Sequence, residues 1–364
     1  MGIYLNPGND LFAQALGSEI YVDKSMLIKL TNERLNSNDR HICISRPRRF
    51  GKSMAANMLV AYYSRNCDSK ELFSSLAIAD TPDFENHLNQ YNVIHLDMTR
   101  FASKASDVNG MIDRLELTLK QELSELCADI SYPDFYSSDE ILTLIYNKHR
   151  IPFVFIIDEW DCVFRIHKND TEGQTAYLGY LKILLKDRPY VALDYATGIL
   201  PVKKYGQHSA LNMYCEYSII DAEPFAEYMG FTESEVQGLC RRFDMSFDEM
   251  KGWYNGYHVG DTSIYNPQSV VNACLRKRFS NYWTKTETFE ALKIYIQLDM
   301  DGLRNDIIRM IAGEQVNVNT NKFQNDMVTM NSADDVITLL IHLGYLTYDY
   351  EKNVAWIPDK EVRQ

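Results

Sequence analysis

Short apolar runs of strand length recur along the first 220 residues, at 41–44, 93–98, 153–157, 191–196 and 215–220. The run at 153–157, Phe-Val-Phe-Ile-Ile, is continuous, which is typical of a strand buried on both faces. Between the runs, apolar residues recur at steps of three and four, most clearly from Val108 to Leu126, and this spacing predicts helices. Strands that alternate with helices predict an α/β fold with a mostly parallel sheet covered on both faces.

The pattern changes after Asp221, where strand signals nearly disappear. Thr232-Glu233-Ser234-Glu235 is a capping box that predicts a helix through Phe243. Further helices are predicted from Ser269, from Thr286, from Gly302 and over Asp334–Leu343. Residues 346–350 and 354–357 then form an expected hairpin. Helices that close on a two-stranded wing predict a small winged-helix-like module.

Composition narrows the class of protein. A chain of 364 residues predicts two or three domains. No uncharged apolar run approaches the ~18 residues of a membrane span, and the N-terminus lacks an export signal, so we expect a cytoplasmic protein. The seven cysteines are scattered, which predicts reduced core residues and no zinc site. The net charge of −13 argues against a chain that coats nucleic acid, while a local basic face stays open.

Gly51-Lys52-Ser53 follows the run at 41–44 and precedes an apolar helical pattern. Strand, turn, Gly-Lys-Ser and helix form the context of a phosphate-binding loop. Gly51 would let backbone amides approach an anion, Lys52 would reach the β- and γ-phosphates, and the Ser53 hydroxyl would bind magnesium. The first glycine of the usual motif is replaced by Arg46.

Asp158 and Glu159 end the apolar run at 153–157, about a hundred residues after the loop. Asp158 is expected to hold the magnesium ion, and Glu159 to polarise the attacking water. Thr197 ends the next strand, where it either stands beside the γ-phosphate or satisfies local backbone groups. Asp97 also ends a strand, and for it a loop-stabilising role is favoured.

Two further groups of residues stand out, the arginines of the loop and the aromatic residues after position 250. Arg46, Arg48 and Arg49 cluster in the loop, where they could add charge against phosphates, contact nucleic acid or pair with acids. The aromatic residues after position 250 are interpreted as core rather than as a stacking surface; they are Trp253, Tyr254, Tyr257, Tyr282 and Trp283.

Several motifs resemble the AAA-ATPase-like family of P-loop proteins, which is found mainly in bacteria. They are Tyr21-Val-Asp-Lys-Ser25, Arg46-Pro-Arg-Arg-Phe-Gly-Lys-Ser53, Ile157-Asp-Glu-Trp-Asp161, Thr197-Gly-Ile199, Trp253-Tyr-Asn-Gly-Tyr257 and Tyr265-Asn-Pro267. The family commonly has arginine at the place of Arg46. Ser25 and Trp160 depart from its usual Thr and Tyr, and neither is a proposed catalytic residue.

The resemblance implies a P-loop ATPase with sheet order 5-1-4-3-2, followed by a helical lid and a winged-helix-like region. The expected domains are an N-terminal segment at 1–39, the ATPase core at 40–221, the lid at 222–300 and the winged-helix-like region at 301–364. It also implies ATP and Mg²⁺ as ligands, with adenine near Tyr21. Arg48, Arg49, Phe50 and Met54 complete the set of expected nucleotide contacts.

The sequence is compatible with two functions. The first is a magnesium-dependent ATPase that acts as a conformational switch or motor. The alternative is a nucleotide-binding regulatory scaffold with little or no turnover. Family members typically carry a C-terminal nuclease-like domain, so we expect this chain to be truncated, with DNA or RNA reached through the absent domain. The charged residues after the hairpin, which have no evident capping element, support that expectation. The oligomeric state is left open.

Overall fold

The computed structural model describes residues 2–202, 211–259, 262–283, 300–323, 330 and 332–364. The chain divides into two compact units. The first unit lies within residues 1–44, 52–198 and 202–216, and the second within 45–51, 199–201 and 217–364. The domain bounds expected from the sequence remain predictions.

A five-stranded sheet forms the core of the first unit, and each predicted apolar run contributes a strand. Its order is β2-β3-β4-β1-β5, which confirms the predicted order 5-1-4-3-2. β2, β3 and β4 pair in parallel, and every residue of β1, β3 and β4 is buried, as expected for parallel strands covered on both faces. The strands are β1 His41–Ser45, β2 Asn92–Asp97, β3 Phe153–Asp158, β4 Val191–Gly198 and β5 Cys215–Tyr217.

Helices connect these strands. α3 packs against β3 and β4, and α7 packs against α8 and α10. The apolar stripe of α7 is buried at Val108, Met111, Leu115, Leu119 and Leu123, as its spacing predicted. The helices are α1 Asp10–Leu16, α2 Leu27–Asn32, α3 Lys52–Tyr63, α4 Lys70–Phe73, α5 Phe84–His87, α6 Met98–Ala102, α7 Val108–Leu126, α8 Ser138–His149, α9 Cys162–Ile166 and α10 Thr171–Leu185, with a 3₁₀ turn at Ala77–Asp80.

The second unit contains a sheet that the sequence pattern did not predict. β6 Phe231–Thr232, β8 Thr262–Tyr265 and β7 Asn255–Val259 pair antiparallel in that order. The expectation that strands nearly disappear after Asp221 was therefore wrong. The register shifts beside Gly256, whose φ is +143° and whose missing side chain leaves room for the Pro358 carbonyl. This irregularity interrupts the alternation by which a strand is recognised.

Helices of the second unit follow the predicted pattern more closely. The capping box of Thr232 and Glu235 opens α11 as predicted. The helices are α11 Glu233–Arg242, α12 Phe247–Tyr254, α13 Pro267–Arg276, α14 Leu303–Ile311 and α15 Ala333–Leu343, with 3₁₀ turns at Ala226–Tyr228, Met300–Gly302 and Thr320–Lys322. The helix predicted from Thr286 lies outside the described residues.

The predicted hairpin is present as β10 Thr347–Asp349 and β11 Val354–Trp356. β9, Val316–Asn317, adds a third antiparallel strand to β11. The assignment of this region as winged-helix-like remains a prediction.

The charged residues after the hairpin are more ordered than the sequence suggested. They form α16, Lys360–Arg363, whose first turn is capped by the Asp359 carboxylate through the Val362 amide at 2.8 Å. Glu361 is 1% exposed and accepts hydrogen bonds from Ser269 Oγ at 2.7 Å and from the Tyr282 amide at 2.5 Å. The expected lack of a capping element was therefore wrong.

None of the helices in the described ranges combines the length and apolar character that crossing a bilayer requires.

Candidate functional site

The loop before α3 contains two residues in the left-handed region of backbone conformation, Arg49 and Gly51. Gly51 has a φ of +93°, and a β-carbon built on it would meet nothing within 4 Å. Glycine is therefore needed there for backbone conformation and not for lack of space. Arg49 shares the left-handed region, with a φ of +72°.

The structure gives partners to two of the three loop arginines within the second unit. Arg46 is fully buried and donates hydrogen bonds to the Ser45 and Tyr217 carbonyls, each at 2.9 Å. Arg49 donates to the Tyr282 carbonyl at 2.8 Å. Buried Arg46 therefore binds the last carbonyls of β1 and β5.

The other loop residues expected to contact nucleotide differ in exposure. Arg48 is half-buried and has no ion pair within the described ranges. Phe50 is fully buried and meets the Tyr257 ring edge-on at a centroid distance of 5.1 Å. A nucleotide contact by these side chains remains a prediction.

Lys52 begins α3 and is 5% exposed, whereas Ser53 and Met54 are exposed on the next two positions. The Lys52 Nζ lies 3.7 Å from Glu159 Oε1, at the end of β3. The loop lysine and the strand-end acid, 107 positions apart in sequence, are therefore neighbours in the fold.

The end of β3 presents two carboxylates in different environments. Asp158 Oδ1 accepts hydrogen bonds from the Thr197 hydroxyl and from the Glu159 amide, the latter at 3.1 Å. Glu159 has a φ of +55°, which is uncommon for a residue other than glycine, and its side chain is 22% exposed. Thr197 therefore positions Asp158, and a contact of Thr197 with phosphate remains a prediction.

Arg165, on α9, is a member of this cluster that sequence reasoning missed. Its Nη2 contacts Glu159 Oε2, and its Nε donates to Asp161 Oδ2 at 3.2 Å. Asp161 is fully buried. The only sequence signal was the spacing of four between Asp161 and Arg165, which suits an ion pair along one helical turn.

Burial dominates the electrostatics of the pair formed by Lys52 and Glu159. It lowers the pKa of Lys52, against the opposing effect of Glu159 and the neighbouring aspartates. It also raises the pKa of Glu159, against the opposing effects of Lys52 and Arg165. Both groups are thus less stable as ions here than in water, and an incoming anion would favour the charged form of Lys52.

Gly198 closes this region at the end of β4. A β-carbon at this position would lie 2.7 Å from Trp160 Nε1 and 2.9 Å from Asp161 Oδ1. Only glycine therefore allows β4 to approach the segment that carries Glu159 and Asp161.

Tyr21 and Asp97, two residues considered from the sequence, contact residues outside this cluster. Tyr21 meets Phe12 edge-on at 6.2 Å, and burial together with Asp23 raises its pKa. Asp97 caps α6 by accepting from the Thr99 amide at 3.0 Å, consistent with the loop-stabilising role favoured from sequence. The placement of adenine near Tyr21 remains a prediction.

A buried lysine at the start of a helix, facing an acid at the end of another strand of the parallel sheet, is typical of P-loop ATPases. The family model described as "Predicted AAA-ATPase" matches residues 13–207, more than half of the chain. The chain therefore belongs to the AAA-ATPase-like family.

The chain is also similar to an uncharacterized protein in the vnfD 5' region of Azotobacter chroococcum mcd 1. The two are 26% identical over 277 residues, which cover 74% of this chain and 51% of the relative. The chain therefore spans about half the length of this curated relative.

Two solved structures show weak similarity. The Walker-type ATPase PABY2304 of Pyrococcus abyssi is 14% identical, with 93% of each chain covered and a TM-score of 0.45. C. elegans PCH-2 is 11% identical, with 92% of this chain and 67% of that chain covered and a TM-score of 0.27. Both TM-scores lie below 0.5, so neither supports an inference about this chain.

Proposed function

We propose that the chain binds ATP with magnesium and hydrolyses it, and that it acts as a conformational switch or motor. The observation that carries the proposal is the approach of buried Lys52 to Glu159, with Asp158 held beside them by Thr197. Lys52 would bind the β- and γ-phosphate oxygens. The backbone amides of the loop could not replace its positive charge. Glu159 would accept a proton from the attacking water.

The donor set fits magnesium. Asp158 Oδ1 accepts hydrogen bonds from two donors, whereas Oδ2 accepts none from the described residues. Ser53 offers an exposed hydroxyl one position after Lys52. One carboxylate and one hydroxyl suffice because magnesium sites of this kind are completed by substrate phosphates and water. When bound there, the ion would neutralise charge on the phosphates.

Phosphate release from ATP by the purified chain tests this function. Glu159→Gln keeps the shape of the side chain and removes the base, so turnover should fall by ~10²–10⁴-fold while ATP still binds. Glu125→Gln, on the exposed face of α7, is the matched control and should behave as the parent. Parental turnover by Glu159→Gln would exclude Glu159 as the base.

The alternative is a nucleotide-binding scaffold with little turnover. It is favoured by the engagement of Glu159 with both Lys52 and Arg165, because a carboxylate paired with cations is a poor base. Tight ATP binding without phosphate release by the parent chain would select this alternative.

Control of a nucleic-acid-directed C-terminal domain is a separate part of the proposal. Its support is the family resemblance. We expect DNA or RNA to change the rate of phosphate release by a longer protein that contains such a domain, and not by residues 1–364 alone. Equal rates with and without nucleic acid in the longer protein would contradict this part.

A further inference from the structure

Glu159 has two cationic neighbours at different distances. Arg165 Nη2 is in direct contact with Glu159 Oε2, whereas Lys52 Nζ lies 3.7 Å from Oε1. A separation of 3.7 Å is an electrostatic contact but exceeds hydrogen-bond length. Arg165 is therefore the closer cationic partner of Glu159, and the pair between Glu159 and Lys52 is the longer of the two.

Arg165 is held in place by a second acid. Its Nε donates to Asp161 Oδ2 at 3.2 Å, four residues earlier in the chain, and Asp161 is fully buried. The planar guanidinium can face two carboxylates at once, which a lysine ammonium does with less directional control. Asp161 therefore fixes the guanidinium, and the guanidinium in turn fixes Glu159.

This arrangement affects Lys52. If Arg165 were absent, the Glu159 carboxylate would have Lys52 as its nearest cation within the described part of the site. The shortest remaining ion pair would then form between Glu159 and Lys52. Such a pair competes directly with phosphate oxygens for the same ammonium group.

We propose that Arg165 is a positioning residue that keeps the Glu159 carboxylate from closing on Lys52, so that Glu159 does not compete with the phosphates of ATP for the lysine ammonium group. The inference rests on the proposed function, because it assigns Arg165 a role at the same site. Arg165 acts through Glu159 and contacts no reacting atom.

A double-mutant cycle on binding tests this role without relying on turnover. The probe is a fluorescent ATP analogue titrated in the presence of magnesium. Arg165→Met should weaken binding by about tenfold, a size usual for coupled contacting residues. Adding Glu159→Gln should restore most of that affinity, because the competing carboxylate has become neutral. A purely structural role of Arg165 would not be suppressed by a change at Glu159.

Two further variants make the result decisive. Arg165→Lys keeps the charge, so it should lose less affinity and show the same suppression; it replaces the methionine variant in the cycle if that variant does not fold. Arg188→Met removes an arginine from an ion pair with Asp139 (2.8 Å) on the same unit and should bind the probe as the parent does.

The outcomes separate the two proposals. If the parent binds the probe but Arg165→Met binds equally well, or if Glu159→Gln fails to restore affinity, the positioning role is overturned alone. If the parent chain itself does not bind the probe, the proposed function fails, and the role of Arg165 fails with it.

Discussion

Replacement of Lys52 by methionine should destabilise the chain even without nucleotide. Lys52 is 5% exposed and shares its surroundings with Asp158, Glu159 and Asp161, while Arg165 is the other cation of the group. Methionine has a similar length but no charge. The substitution therefore removes one of the two cations of this group and keeps its three carboxylates.

The size of the effect follows from the geometry. Two unit charges 3.7 Å apart attract by about 4.5 kcal/mol at an effective dielectric constant of ~20. Part of this is offset, because the lysine no longer has to be desolvated and Glu159, whose pKa is already raised by burial, can take up a proton. We expect a net loss of about 1–2 kcal/mol in the free energy of unfolding, below the ~3–5 kcal/mol usual for breaking a buried ion pair, because burial outweighs the attraction in the pKa of both groups. Glu159→Gln in the same chain should recover most of it.

Urea unfolding followed by circular dichroism measures the loss, and hydrogen exchange of the β3 amides assigns it to the first unit. Local exchange is needed because a chain of two units need not unfold in one step. Lys104→Met, at an exposed position, is the matched control and should change little. The reasoning is refuted if Lys52→Met is as stable as the parent, or if the double variant is no more stable than Lys52→Met.

Two other predictions concern positions away from the phosphates. Gly198→Ala should lower the free energy of unfolding by about 1–3 kcal/mol, measured by thermal unfolding, because the new methyl group would overlap Trp160. Gly179→Ala is the control, because a methyl group there meets open space within α10, and it should not lower stability. Equal stability of the two variants would contradict the packing argument. Burial raises the pKa of Asp359 to about 8, so its stabilising contribution is present at low pH and is lost as the pH rises towards 8. In the parent, this loss lowers the free energy of unfolding by up to about 1.4 kcal/mol per pH unit between pH 5 and 8. Asp359→Asn should remove this pH dependence. The same dependence of unfolding on pH in parent and variant would contradict the prediction.

The sheet of the first unit was predictable because its strands are buried on both faces. Such strands appear as short apolar runs, and the run at 153–157 is entirely apolar. Lys52 and Glu159 were predictable for a different reason. A phosphate-binding loop and a strand-end acid have local patterns, and the carboxyl ends of parallel strands meet at one edge of the sheet.

The remaining features depend on contacts that have no local pattern. The hydrogen bond from Thr197 to Asp158 joins residues 39 positions apart, and the approach of Gly198 to Trp160 joins residues 38 apart. Arg165 lies in a short helix among apolar residues, where nothing but its spacing from Asp161 marks it. The β6–β8–β7 sheet was missed because its strands are short and one is interrupted at Gly256.

A crystal structure of the chain with magnesium and a non-hydrolysable ATP analogue tests the central claim most directly. The account predicts the γ-phosphate within hydrogen-bond distance of Lys52 Nζ and the metal ion beside Ser53 and Asp158. It also predicts that Glu159 keeps its contact with Arg165. An analogue bound away from Lys52, or no bound analogue at saturating concentration, would contradict it.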